Sequence, residues 1–267
     1  MRNIQPIIEK KKIEFASKYY KKRFTELDEK SSHLVTCAAE VWSYIENTVP
    51  EKFHKLTVFD FDGYSENGYQ LREDITANAK DLVCKYCWGI TWKEAKKKFS
   101  NEKAIKEFFK NNSVMLERLE NGINVVVFGE SSTPIGRSMI ASIILKQAIK
   151  LRILKGKKSH NYEWVDFSML KQSIKNDLDD LVIYQSCDWL VVDDVTYSMT
   201  STERQKAYFS ELINPFFIER YKNKLPTILI FKFDYRKDFF NVEECLGVGI
   251  SNIINDNKTF KIPLSQI

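Results

Sequence analysis

Glycine is scarce: the 267-residue chain has nine, where about 7% of residues would be usual. Such a chain is neither collagenous nor a flexible linker protein. Three of the nine, Gly122, Gly129 and Gly136, fall within one 15-residue window. Long apolar runs are missing too. None reaches the roughly 18 residues that a membrane helix needs, and the opening MRNIQPIIEKKKIEF lacks the apolar stretch of a secretory signal. Five cysteines, an odd number, in a chain of that kind speak against a disulfide framework. There is no internal repeat and no low-complexity linker. What is present is 43% hydrophobic and 29% charged residues, too apolar for a disordered chain. The length suits one large domain, or a small one beside a core of roughly 150 residues. The expectation is a folded, cytosolic protein with no membrane partner.

The net charge of +5 is unevenly spread. Residues 1–32 carry nine basic and five acidic side chains, a local +4, and residues 146–158 carry Lys146, Lys150, Arg152, Lys155, Lys157 and Lys158 with no acid. Local basic patches suit nucleic acid, although a solvated helix face gives the same pattern. Arg152, Lys155, Lys157 and Lys158 are candidate phosphate contacts, with Trp164 or Phe167 as stacking partners for bases.

Periodicity predicts a helical region over 1–110 and a different architecture over 111–267. In the first, a basic amphipathic helix is expected over 6–30, with Ile8, Phe15, Tyr19 and Phe24 among its apolar positions. A second helix over 34–48, a short strand over 56–61 and lysine-rich helical patterning over 72–110 follow. In the second, apolar runs of strand length alternate with helices. They are NVVVFG (124–129), YEWVDF (162–167), DWLVVDDV (188–195), PTILIFKF (226–233) and FKIPL (260–264), with helices over 137–154, 168–183 and 202–221. Near-continuous apolar strands alternating with helices predict an α/β fold, a five-stranded parallel sheet covered on both faces.

The run NVVVFG–ESSTPIGRS leads into a helix in the order strand, loop, glycine, cation, hydroxyl. A helix N-terminus and loop N–H groups favour an anion, the cation reaches outer phosphates, and the hydroxyl can hold Mg²⁺. The candidate nucleotide-binding residues are Gly129, Ser131, Ser132, Thr133, Pro134, Ile135, Gly136, Arg137 and Ser138. Arg137 stands where lysine is usual, and Ser131 where the first glycine is usual. About 60 residues on, Asp193 and Asp194 end an apolar strand. Asp193 is positioned to hold Mg²⁺ together with Ser138, and Asp194 to polarise an attacking water.

With both motifs in place, residues 111–264 resemble the helicase-loader branch of the AAA+ ATPases: DnaC- and DnaI-type loaders and IstB-type transposition helpers. The resemblance rests on SVMLERLENGINVVVFG, on SSTPIGRSMIASIILKQAIK, on YEWVDFSMLKQSI, and on DWLVVDDV followed by Arg220 and the PT strand. ECLGVGISNII and the closing strand complete it. It implies ATP and Mg²⁺ as ligands, homo-oligomers, single-stranded DNA contacted by Ser168, Lys171 and Lys175, and a replicative helicase or transposase bound by the N-terminal arm. It also implies a core without a C-terminal lid, encoded by a bacterium, phage or plasmid. Lys232 takes the sensor position where the family has asparagine, and no arginine follows Arg236, so slow hydrolysis or a hydrolysis-deficient adaptor is expected.

Two rival signals remain. LTVFDFDG resembles the haloacid-dehalogenase phosphatases, with Asp60 as nucleophile and Asp62 as acid/base. Cys84 and Cys87 form a CxxC, with His33 and Cys37 as conceivable zinc partners, against a reading of buried core thiols.

Overall fold

In a computed structural model, the structure describes residues 4–60, 65–66, 69–70, 73–129, 136–156, 161–176, 178–196, 203–236 and 242–264. The N-terminal region is helical, but its first helix is interrupted. Helix α1 (Gln5–Phe15) runs into a π-turn at Ala16–Tyr20 that ends on Lys21 in the left-handed region, φ 56°. A 3₁₀ turn at Phe24–Glu26 follows, and Asp28 then caps α2 (Glu29–Thr48) by accepting from Ser31 N at 2.8 Å. The single helix expected over 6–30 is therefore two helices, because an aspartate N-cap competes with continuation. The strand expected over 56–61 is also absent: Val58–Asp60 is a 3₁₀ turn. After a small hairpin, β1 (Ser65–Glu66) with β2 (Tyr69–Gln70), three helices fill the lysine-rich stretch: α3 (Glu73–Trp88), α4 (Trp92–Lys98) and α5 (Glu102–Asn111). The breaks follow local chemistry. Gly89 takes φ 78°, Thr91 and Glu94 form a capping box, and Asn101 caps α5.

The sheet elements are β3 (Val125–Phe128), β4 (Tyr162–Asp166), β5 (Trp189–Val195), β6 (Thr227–Phe231) and β7 (Phe260–Pro263). The helices among them are α6 (Met115–Glu120), which precedes β3, then α7 (Arg137–Leu154), α8 (Phe167–Lys175), α9 (Asp180–Ser186), α10 (Glu203–Lys222) and α11 (Val242–Asn255). All five strands are parallel, in the order β4-β5-β6-β3-β7. This is the expected α/β architecture with a helical N-terminal region. The helix expected over 168–183 is split into α8 and α9, with Leu178 N bonded back to Ser173 O.

Strand residues alternate between two buried layers, as a two-residue period requires. Val125, Val127, Val191, Ile228 and Ile230 face the cluster shared with α2, α3, α5 and α7. Val126, Phe128, Val192, Leu229 and Phe231 face the cluster shared with α8, α10 and α11. The first cluster runs without a break from Cys37 to Leu264, joining the N-terminal helices to the sheet. Because the strands are parallel, their C-terminal ends lie along one edge, where ligands bind in open α/β sheets.

Candidate functional site

The edge is built from β3, β5, β6 and the start of α7. Gly136 is the N-cap of α7 with φ 76°, a left-handed conformation that suits glycine at a turn this tight. Arg137 opens the helix, and its Nη1 donates to Gly129 O at 2.7 Å, linking the end of β3 to the helix start. Ser138 follows on the first turn. Helix α7 packs across β3, β6 and β5, which brings its N-terminus towards the acidic end of β5.

There the Ser138 hydroxyl comes near enough to the Asp193 carboxylate to favour its charged form, bringing together two residues 55 positions apart in the chain. Asp193 is 8% exposed. Burial outweighs Ser138 and pushes the carboxyl up to about 6, and the nearby charges of Asp194 and Asp166 raise it further. Asp166 ends β4 directly opposite Asp193 in the register; the sequence reading did not single it out, although it closes the YEWVD strand.

Asp194 is set apart by backbone geometry. Its φ is 57°, and the β5–β6 register shifts between Val192 and Val195. A bulge of this kind re-aims a side chain at a sheet rim. The carboxylate meets Lys232 Nζ at 2.7 Å, with both side chains about half exposed, and Asp194 N donates to Asp193 Oδ1 at 2.8 Å. Thus Gly129, Gly136, Arg137, Ser138, Asp193, Asp194 and Lys232 gather along one edge. Ser131, Ser132, Thr133, Pro134 and Ile135 lie outside the described residues.

The set fits a nucleotide with Mg²⁺: a hydroxyl and a buried carboxylate lie near one another and would hold a cation, and a helix N-terminus offers N–H groups to phosphate. Among the described residues no group of three or more His, Cys, Asp or Glu is arranged to hold a metal by protein ligands alone.

The other candidates have separate places. Arg152 is half-buried and pairs with Asp188 at 3.1 Å, and Asp188 also accepts from Asn161 N at 2.9 Å. Lys155 is exposed just beyond α7, and Lys157 and Lys158 lie outside the described residues. Lys146 is drawn inward instead: its ammonium donates to the carbonyls of Phe53 and Leu56. On α8, Ser168 and Lys175 are exposed, and Lys171 lies 5.0 Å over the Phe167 ring. Phe167 itself is fully buried and Trp164 packs on Phe53, so neither ring is presented to a base.

Asp60 accepts from Thr57 N and Oγ1 at 2.7 and 2.6 Å within its own turn, away from the parallel sheet, and Asp62 lies outside the described residues. Cys84 and Cys87 are fully buried in α3 and their thiols are raised by burial. Arg220, quoted in the family pattern, is also fully buried. It donates to the carbonyls of Tyr184, Gln185, Cys187 and Pro226, tying α9 to the start of β6.

No family model and no curated protein matches the chain. Among solved structures the chain is similar to a DnaI crystal structure, with 15% identity, TM-score 0.46, and 80% of this chain and 94% of that one covered. It is also similar to the DnaC helicase loader at 17% identity and TM-score 0.36, covering 61% and 90%. AMPPCP-bound DnaA from Aquifex aeolicus follows at 19% and 0.35, covering 57% and 44%.

Proposed function

We propose that the chain is a AAA+-type DNA-replication accessory protein of the cytoplasm, helicase-loader-like, that binds ATP and Mg²⁺ at the Gly136–Ser138 edge. The observation that carries this reading is the approach of Ser138 to the buried Asp193 at the C-terminal end of a parallel sheet. It unites the two motifs that the sequence offers separately.

In this reading the loop 129–136 and the α7 N-terminus receive the phosphates, Arg137 neutralises the outer ones, and Ser138 and Asp193 hold Mg²⁺. A metal held there would supply neutralisation of the phosphate charge. Asp193 must give up its proton to serve. Asp194 would orient the attacking water, but its ion pair with Lys232 holds it away from that task. A half-exposed pair is worth about 0–1 kcal/mol, so nucleotide can compete for it. This arrangement favours slow hydrolysis, and with it an adaptor whose nucleotide orders protomers rather than powering them.

Single-stranded DNA would then run along Lys155, Ser168, Lys171 and Lys175, with Lys157 and Lys158 adjoining. Arg152, already matched to Asp188, contributes through the fold. The basic helix α1 is the arm for a hexameric replicative helicase. Co-purification of the intact chain with such a helicase in Mg²⁺–ATP tests the role. A stable complex is expected; no complex with the helicase, together with capture of a transposase, would reassign the chain as an IstB-like transposition helper.

A further inference from the structure

A concavity of about 470 Å³ lies alongside α7. Its wall on α7 is Ile143, Lys146, Gln147 and Lys150, which are 7 to 14 residues past Gly136 and so about 10–20 Å along the helix. The volume lies in the range of small-molecule sites, roughly 300–1,000 Å³. Much of the remaining wall is aromatic: Trp42, Phe59, Trp88 and Phe109. They are fixed in place before any ligand arrives. Trp88 stacks on Phe109 with ring centroids 4.4 Å apart and donates through Nε1 to Phe109 O at 2.8 Å. A preorganised wall spares a ligand the cost of ordering it.

The charged side chains lining this cavity are all basic. No carboxylate lies among the described residues that line it, whereas several lysines do. Two of these are already engaged: Lys146 by backbone carbonyls, and Lys106 by Glu102 at 2.6 Å. Lys110 and Lys150 differ, because among the described residues neither forms an ion pair. Lys150 is more than half-buried, and burial together with the charge of Lys110 lowers its ammonium. Two lysines on the wall of a largely apolar cavity, with no acid among the lining residues, give it a positive field that favours an anion.

We propose that this cavity is a second ligand site, distinct from the nucleotide edge, for a small amphipathic anion. The ligand has an aromatic or short aliphatic body lying on Trp42, Trp88 and Phe109 and a carboxylate or phosphate held by Lys110 and Lys150. Because the site couples α2 and α5 to α7, its occupancy ties the N-terminal region to the helix that carries Ser138.

The test uses the full chain and two dyes, the anion 1-anilinonaphthalene-8-sulfonate and its uncharged analogue N-phenyl-1-naphthylamine. The anion binds saturably at one site. Lys110→Gln/Lys150→Gln weakens it by roughly tenfold or more, the loss expected for a charge-assisted contact, and leaves the neutral dye unchanged. Gln147→Trp, which fills the cavity from its rim without removing a charge, excludes both. Circular dichroism matching the parent is required of each variant. Displacement by phenyl phosphate alone assigns a phosphorylated ligand, and displacement by benzoate alone a carboxylate. Displacement by neither, or parent-like binding of the anionic dye to both variants, overturns the site. The result does not depend on ATP binding, so it is separable from the nucleotide reading.

Discussion

At the scale of single residues, Asp193 is the informative group. Burial raises its carboxyl from the usual 3.8 to about 6, so the native state holds this proton more tightly than the unfolded chain does. Its stabilising contribution is complete below pH about 4 and is lost as pH rises through about 6. Asp193→Asn therefore stabilises the ligand-free protein at pH 8, by on the order of 1–3 kcal/mol, with little effect at pH 4. Thermal melts at the two pH values check this; a variant that melts lower than the parent at pH 8 contradicts it. The same proton competes with Mg²⁺, so Mg²⁺-dependent nucleotide affinity is expected to fall as pH drops from 7 to 5. Lys232 supplies the companion prediction. Lys232→Asn frees Asp194 from its 2.7 Å ion pair and should raise steady-state ATP turnover severalfold. Turnover equal to or below the parent's would mean that Lys232 assists rather than restrains.

At the scale of elements, the clearest prediction concerns the kink in α11. Gly247 has φ 88°, and a Cβ there would lie 2.2 Å from Asn214 Oδ1, the atom that accepts from Gly249 N at 2.9 Å. Gly247→Ala should cost about 2 kcal/mol or more in urea unfolding, from backbone strain plus the clash; a cost below about 0.5 kcal/mol would contradict the packing of α10 on α11. This helix also marks where sequence reading thins out. Helix α7 and strand β5 are legible because Arg137–Leu154 carries a long run of buried apolar residues and Trp189–Val195 opens with four buried apolar ones. α11 holds two glycines, which no periodicity argument favours, and tertiary contact with Asn214 overrides that bias. The break at Lys21 and the 3₁₀ turn at Val58–Asp60 were illegible for a related reason. A left-handed lysine and a threonine-capped turn are set by local hydrogen bonds, not by the apolar pattern. Within the site, Gly136, Ser138 and Asp193 could be picked from motif order. The αL conformation of Asp194 and the Lys232 pair could not, since both come from a register shift between β5 and β6.

At the scale of the whole molecule, one apolar cluster runs from Cys37 in the N-terminal region to Leu264 at the end of the sheet. Such a shared core predicts a single cooperative unfolding transition by calorimetry. Two resolved transitions would mean that residues 1–110 and 111–267 are separable units. Gly136 starts the helix that crosses the sheet, and one of the chain's few glycines is thus used where a left-handed turn meets the proposed phosphate position. The central claim is that this edge holds Mg²⁺–ATP through Ser138 and Asp193. Its most direct measurement is calorimetric titration of ATP with and without Mg²⁺ into the parent, Ser138→Ala and Asp193→Asn proteins at pH 8. Saturable, Mg²⁺-strengthened binding to the parent, with the Mg²⁺ increment lost in both variants, is the predicted result; no binding to the parent, or an unchanged increment in both variants, would contradict it.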